Sequence, residues 1–441
     1  NLIRACHRNL IHVYAWVELP HVSTEFWDQY PQCREKTAAG TDAQLDWRRL
    51  INLVNEECSA LAESRVLALL RRFDWDGVNL GELYFESLEG YANPSRFTPF
   101  SDDVRRHFAA KHGHAPSLKP DEVQPFLDYR AELAARLQHE WLARLRTLRS
   151  AKPGLDILLT HIDDRFDPNM RAALGADAAR LLKETENQDL LFLIEDPATT
   201  WHLGPRRYAQ IRQQYQPLTP NHQRLAIDIN IVERYQDVYP TKQQTGAELA
   251  QLVHQASQAF DQVALYFEFS LRPQDLPLLG PASSGLLQRE GESVTLRHPT
   301  WLRMSQEAKV DGIIWPFHDG ASVLLPAGKH RLEASADAPP FHIFDCNANV
   351  LSYDGTLHYS SRATAWLRSD QPIEAELEDG TKKAAYSLNG HAVNGQPINE
   401  QPIYEQSEGG QWILELPRGT HAAKLILSKR LPSPQPSIER N

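Results

Sequence analysis

The sequence predicts an α/β protein: a (β/α)8 TIM-type barrel lacking its N-terminal units, followed by an all-β sandwich region. Three observations carry that expectation. Short β-rich runs alternate with helical patterns through roughly the first 270 residues. The connections between them are long enough for right-handed crossovers joining parallel strands. Beyond about residue 275 the text changes to short alternating runs separated by turn residues such as Asp354-Gly355, Asp379-Gly380 and Asn389-Gly390.

Six strand runs are expected: Ile11–Val17, Gly77–Leu83, Asp156–Ile162, Leu190–Ile194, Leu225–Ile231 and Val263–Phe269. Between them the apolar spacing predicts helices over Asp46–Phe73, Pro125–Ser150, Met170–Thr185, Gly204–Gln214 and Gly246–Phe260. No G-x-G-x-x-G or P-loop follows any strand, which argues against a doubly wound nucleotide-binding sheet. A barrel needs eight strands. With six found, and with Leu2–Asn9 reading as the end of an amphipathic helix, about two βα units are expected to precede Asn1. The barrel is assigned to 1–275, with a boundary at Leu276-Pro277 through Gly280-Pro281. A β-sandwich region is assigned to 285–430, most simply one or two sandwiches, and an extended tail to 431–441. Its runs are Ile313–Phe317, Ser322–Leu325, His330–Ala334, Ala363–Arg368, Ile373–Leu377 and Trp412–Leu416.

Composition narrows the function. A formal net charge of −11 argues against a uniform nucleic-acid surface. No apolar run reaches membrane-spanning length. The four cysteines (Cys6, Cys33, Cys58, Cys346) lack metal-ligand spacing and are too few for a disulfide scaffold; one structural disulfide among the first three stays open. No H-E-x-x-H or helical His pair is present, so neither a metal nor a cofactor is expected. Oligomeric state does not follow from the text.

In parallel α/β folds ligands sit at the carboxyl ends of strands. Each run here ends in acids: Glu18, Glu82, Asp163 with Asp164, Glu195 with Asp196, Asp228 with Asn230, and Glu268. Carboxylates crowded at one mouth repel, which separates their pKa values and yields an acid and a base in one cleft. Glycoside hydrolysis uses such a pair. Aromatics lie beside the acids, and sugar rings stack their C–H faces on such rings. The expected catalytic set is Glu82, Asp163, Asp164, Glu195, Asp228 and Glu268, with Glu82 and one of Asp163/Asp164 leading. The expected substrate contacts are Trp16, Glu18, His21, Asn79, Tyr84, Trp201, His202, Asn230 and Tyr266. Plainer roles stand beside these. Asp163 and Asp164 suit helix capping, Glu82 a rim salt bridge, and His12 and His161 buried hydrogen bonding. Trp301, Trp315 and Trp366 suit a β-domain core.

Three stretches carry a resemblance. Ala5–Val17, ending in His12-Val13-Tyr14-Ala15-Trp16-Val17, resembles the third-strand entry of bacterial glycoside hydrolase-like (β/α)8 barrels. Phe73–Glu82 is similar to their fourth strand, and Phe100–Gly113 to a segment that follows it. The resemblance covers about residues 1–270 and implies a carbohydrate-active barrel broadly related to amylase-like hydrolases, including an exopolysaccharide-associated group. It implies a glycan substrate and, for an exopolysaccharide, a periplasmic or secreted address. One departure stands out. The strand-end acid pair of the family falls on Gly81-Glu82, so the position of the aspartate nucleophile is a glycine. The alternative expectation is therefore a non-catalytic polysaccharide-binding barrel; a metal-dependent or lyase-type enzyme is a third.

Overall fold

The structure is a computed structural model and describes residues 2–85, 89–231, 243–266, 270–387 and 411–428, apart from the side chains of 198, 201, 202 and 387. It divides into two compact units, Tyr14–Ser283 and a second formed by Asn1–Val13 with Ser284–Asn441.

The first unit is an α/β barrel-like domain. Its sheet has six parallel strands, β1 (Tyr14–Glu18), β2 (Gly77–Gly81), β3 (Asp156–Ile162), β4 (Leu191–Glu195), β5 (Leu225–Asn230) and β6 (Val263–Tyr266), each paired to the next in sequence order. Such an order has no reversal point, unlike a doubly wound sheet. Six strands spaced about 4.8 Å apart would place flat sheet edges roughly 24 Å apart. Yet Trp16 on β1 and Tyr266 on β6 stack with ring centroids 5.7 Å apart. The sheet therefore curls until its edges face each other. It does not close: among the described residues β6 forms no ladder with β1. The six strands make a barrel-like half-barrel rather than a closed barrel, and closure at ordinary strand tilt takes about eight strands.

Period-two alternation sorts the strand residues. Ala15, Val17, Val78, Leu80, Ile157, Leu159, Phe192, Ile194, Ile227 and Ile229 enter the large core beneath the helices. Their neighbours line the inner face, where Leu191, Leu193 and Ala226 form a small cluster of their own. The longest helix, Gln124–Arg146, buries Phe126, Leu133, Trp141 and Leu142 against that core.

Two helical expectations are corrected. The helix placed over Asp46–Phe73 starts at Glu56, where Asn55 accepts a hydrogen bond from the Cys58 N–H and two acids occupy the first turn. Residues 44–49 form a tight hairpin instead, Gln44–Leu45 against Arg48–Arg49. The stretch Met170–Thr185 breaks into Asn169–Leu174 and Ala178–Glu184 at Gly175, whose φ of 75° ends the first helix. Strand ends shift by a few residues, and 267–269 of the sixth expected run lie outside the described residues.

Cys33 and Cys58 form a disulfide. It spans 25 residues of sequence separation, a loop whose closure contributes about 3 kcal/mol through unfolded-state entropy.

Among the described residues the second unit contains antiparallel sheets of five, two, four and five strands. The helix Leu2–Arg8, counted with the barrel in the sequence, belongs here: Leu10 packs with Trp366 and Ile413, and the His7 and His12 rings lie 4.8 and 4.9 Å from Trp366. Trp315 and Trp366 are buried and Trp301 packs against the core, so all three indoles serve packing. The tail 431–441 and the turn Asn389-Gly390 lie outside the described residues. Among the described residues no helix is long and apolar enough to cross a membrane.

Candidate functional site

The inner face of the curled sheet is filled in layers. Tyr14 covers Gly77, where a Cβ would come within 2.0 Å of its ring, and donates its hydroxyl to Asp156 Oδ2 at 3.0 Å. One layer up, the Asn79 amide donates to Thr160 Oγ1 at 2.9 Å, and the threonine hydroxyl donates back to Asn79 Oδ1 at 3.0 Å. Asn79 is buried and its side chain joins β2 to β3, below the level of the strand ends.

At the strand ends the layer changes character. Glu18 ends β1, and Glu82 follows β2 with φ at +52°, in the left-handed region. For a non-glycine residue that conformation costs on the order of 1–3 kcal/mol and persists only where neighbours impose it. The neighbours here are explicit. The Tyr84 N–H donates to the Glu82 carbonyl at 2.8 Å, Gln138 of the long helix donates to the Leu83 carbonyl at 2.8 Å, and the Phe85 N–H donates to the Leu174 carbonyl at 2.9 Å. This turn directs the Glu82 carboxylate to Arg48, which reaches in from the 44–49 hairpin. Arg48 Nη2 pairs with Glu82 Oε2 and, at 3.3 Å, with Glu18 Oε1. One guanidinium nitrogen thus holds two strand-end carboxylates.

Tyr84 is buried next to this group. Burial, then the charges of Glu82 and Glu195, hold its phenol well above the usual range. It therefore stays a neutral donor facing acids. Glu195 ends β4 and has Asp228 of β5 as its Cα partner; both positions fall on the inner face, one strand spacing apart. Asp228 is only 3 % exposed, and its Oδ1 has no hydrogen-bond partner among the described residues. Burial, and then the charge of Asp196, push its carboxyl up to about 7. Asn230, on the same face, donates to the Asp196 carbonyl at 3.1 Å.

Trp16 lies across this mouth, 41 % exposed and stacked on Tyr266. Its indole explains the glycine beside Glu82. A Cβ at Gly81 would meet Trp16 Nε1 at 2.7 Å and Cε2 at 2.8 Å. The space a side chain at position 81 would take is filled by the indole of the neighbouring strand.

The remaining acids are placed elsewhere. Asp163 follows the last inward residue of β3. Its Oδ1 accepts from the Arg165 and Phe166 N–H groups, both at 3.0 Å, and Tyr215 of the helix Arg207–Tyr215 lies beside its carboxyl, which burial raises to about 6. Asp164 accepts from the Ala178 N–H at 3.2 Å, near His161. Both carboxyls hold loop and helix backbone on the helix side, as capping acids do. His161 is buried, with Nδ1 at 2.7 Å from the Ile162 carbonyl. Asp196 is bound by Arg207 at 2.6 Å, and by Tyr208 and Thr200. His21 accepts from the Arg49 N–H at 3.0 Å; burial and then Arg48 lower its pKa. Trp201 and His202 sit on the short helix Ala198–Leu203, their side chains outside the described residues, as is all of Glu268. Among the described residues no group of three or more His, Cys, Asp or Glu is arranged to hold a metal.

Sequence reasoning missed Arg48 and Trp47. The signal was present: Asn55-Glu56-Glu57 is an N-cap followed by two acids, which starts the helix at 56 and releases the preceding residues as a loop.

No family model matches this sequence, and no curated protein matches it. Among solved structures, the glycoside hydrolase domain of PgaB (BpsB) from Bordetella bronchiseptica aligns with 64 % of this chain and 78 % of its own, at 13 % identity and a TM-score of 0.46. A β-galactosidase from the psychrophilic Marinomonas ef1 aligns with 60 % of this chain at 13 % identity and a TM-score of 0.43; the chain spans 45 % of that protein. A class V chitinase from Pseudomonas fluorescens Pf-5 aligns with 64 % of this chain and 84 % of its own, at 9 % identity and a TM-score of 0.34.

Proposed function

We propose that the mouth of the curled sheet binds a glycan and hydrolyses it through carboxylates, as a glycoside hydrolase. The observation that carries this reading is the group at the strand ends. Glu18 and Glu82 share Arg48, and Glu195 is registered beside Asp228, under the exposed Trp16–Tyr266 stack. The stacked rings offer a face for a sugar. Glu82 serves as the ionised partner, nucleophile or base. Asp228, which keeps its proton up to about pH 7, is the proton-holding group, passing its proton through adjacent Glu195 to the leaving oxygen. Asp163 and Asp164 are not included, because the Oδ1 of each accepts backbone N–H groups on the helix side of the sheet.

A second reading, a glycan-binding barrel without hydrolysis, has its own observation. The position next to Glu82 is filled by Trp16, and Glu82 itself is ion-paired. A reducing-sugar assay for cleavage, paired with affinity electrophoresis for binding over the same polysaccharide panel, separates the two, run with wild type, Glu82→Gln and Glu195→Gln. Cleavage by wild type that both variants lose supports hydrolysis. Binding with no cleavage supports the second reading. Neither binding nor cleavage by wild type rejects both.

A further inference from the structure

Trp47 is 51 % exposed at the tip of the 44–49 hairpin and belongs to none of the hydrophobic clusters of the described residues. A single exposed aromatic is ordinary on a protein surface; what sets this indole apart is its place beside Arg48, the cation of the mouth. Its mount is rigid. Asp46, in the left-handed region at φ 55°, is gripped by Arg96 through two bonds of 3.1 and 2.7 Å, and Arg96 also pairs with Glu89 at 2.9 Å. Beneath the tip, Ala43, Leu45 and Leu50 form a small core, and the Val22 N–H donates to the Arg49 carbonyl at 3.0 Å. The surroundings of the ring are polar. The Arg48 guanidinium lies over it at 5.0 Å, and His21 meets it edge-on at 4.8 Å.

Two features identify the occupant. A lone aromatic ring with the polar Arg48 and His21 side chains against it lacks the contiguous apolar area a protein partner would bury. It matches a sugar ring, apolar on its C–H face and hydroxylated around its edge. The face is also continuous with the mouth, because the same Arg48 that lies over the indole holds Glu18 and Glu82. We propose that Trp47 is an outlying stacking platform for a further ring of the glycan bound at the acids. The ligand is then an extended chain that runs on past the acids over the hairpin, rather than a mono- or disaccharide that ends there. This rests on the glycan reading above.

Calorimetric titration with cello-, chito-, malto- and xylo-oligosaccharides of two and six rings tests it, using wild type, Trp47→Ala, Trp47→Phe and Trp16→Ala. In whichever ladder binds, Trp47→Ala should weaken the six-ring ligand roughly three- to tenfold, the worth of one aromatic stack. It should leave the two-ring ligand unchanged, and Trp47→Phe should retain most of the affinity. Trp16→Ala should weaken both lengths. Unchanged six-ring affinity in Trp47→Ala, or an equal loss for both lengths, overturns the platform while leaving the glycan reading intact. Wild type binding none of the ladders overturns the glycan reading and the platform with it.

Discussion

Gly81→Ala is the sharpest test of how the mouth is built. The added Cβ would stand 2.7, 2.8 and 2.9 Å from Trp16 Nε1, Cε2 and Cζ2. Carbon contacts settle at about 3.5–4.0 Å, so the indole must move by roughly 1 Å. The backbone at 81 is not in the left-handed region, so alanine meets no conformational penalty there. On that ground alone the change should stabilise, by about 0.4–1 kcal/mol, through a less free unfolded chain. Against it stands overpacking, about 1–3 kcal/mol, of which the lower end applies because Trp16 is partly exposed and can swing outward. Swinging outward forfeits the stack on Tyr266, about 0.5–1.5 kcal/mol. The net expectation is a loss of about 1 kcal/mol in the native background and a gain of up to about 1 kcal/mol in a Trp16→Ala background. Urea denaturation of the four proteins in the cycle measures this, with near-ultraviolet circular dichroism reporting the indole. The same ΔΔG for Gly81→Ala with and without Trp16 would refute the account of why this position is glycine.

Two further outcomes follow from buried charge. The Asp228 carboxyl is raised to about 7, whereas an ordinary aspartate titrates near 4. Between those values the folded chain keeps a proton that the unfolded chain releases, so this group makes stability fall as pH rises, by up to about 4 kcal/mol across the window. Asp228→Asn should flatten the stability curve between pH 4 and 7; an unchanged slope in urea melts at pH 4, 5.5 and 7 would show that the carboxyl is not perturbed. Arg207 and Asp196 are both fully buried and joined at 2.6 Å. Arg207→Ala strands the carboxylate and should cost about 3–5 kcal/mol, with much of it recovered in Asp196→Asn/Arg207→Met; a loss under about 1 kcal/mol by denaturation would mean the pair is not what holds this corner.

The strands were legible because alternation is local. A run such as Leu225–Asn230 states its two faces in its own residues, and the register of Asp228 with Glu195 follows once neighbouring strands are parallel. The direction of Asp163 and Asp164 was not legible, because they lie just past the last strand residue, where period two no longer binds the chain. There, nearby N–H groups of Arg165, Phe166 and Ala178 decide where the carboxyls turn. Arg48 was illegible for another reason. Its partner Glu82 is 34 residues away, and no periodicity records a contact made across a disulfide-bounded loop. Gly81 could be noticed in the sequence but not explained, since the atom that excludes a side chain belongs to a different strand.

The Cys33–Cys58 bond encloses the stretch that supplies both Arg48 and Trp47. The cation of the mouth and its outlying ring are therefore presented by a covalent ring, while the acids come from the sheet. A preparation made where thiols stay reduced can fold the sheet and still lack the tether on the hairpin. Silence of such a sample in an activity screen speaks to the oxidation state of two sulfurs before it speaks to any carboxylate. Titrating free thiols is accordingly the first quality check on material destined for any glycan assay of this chain.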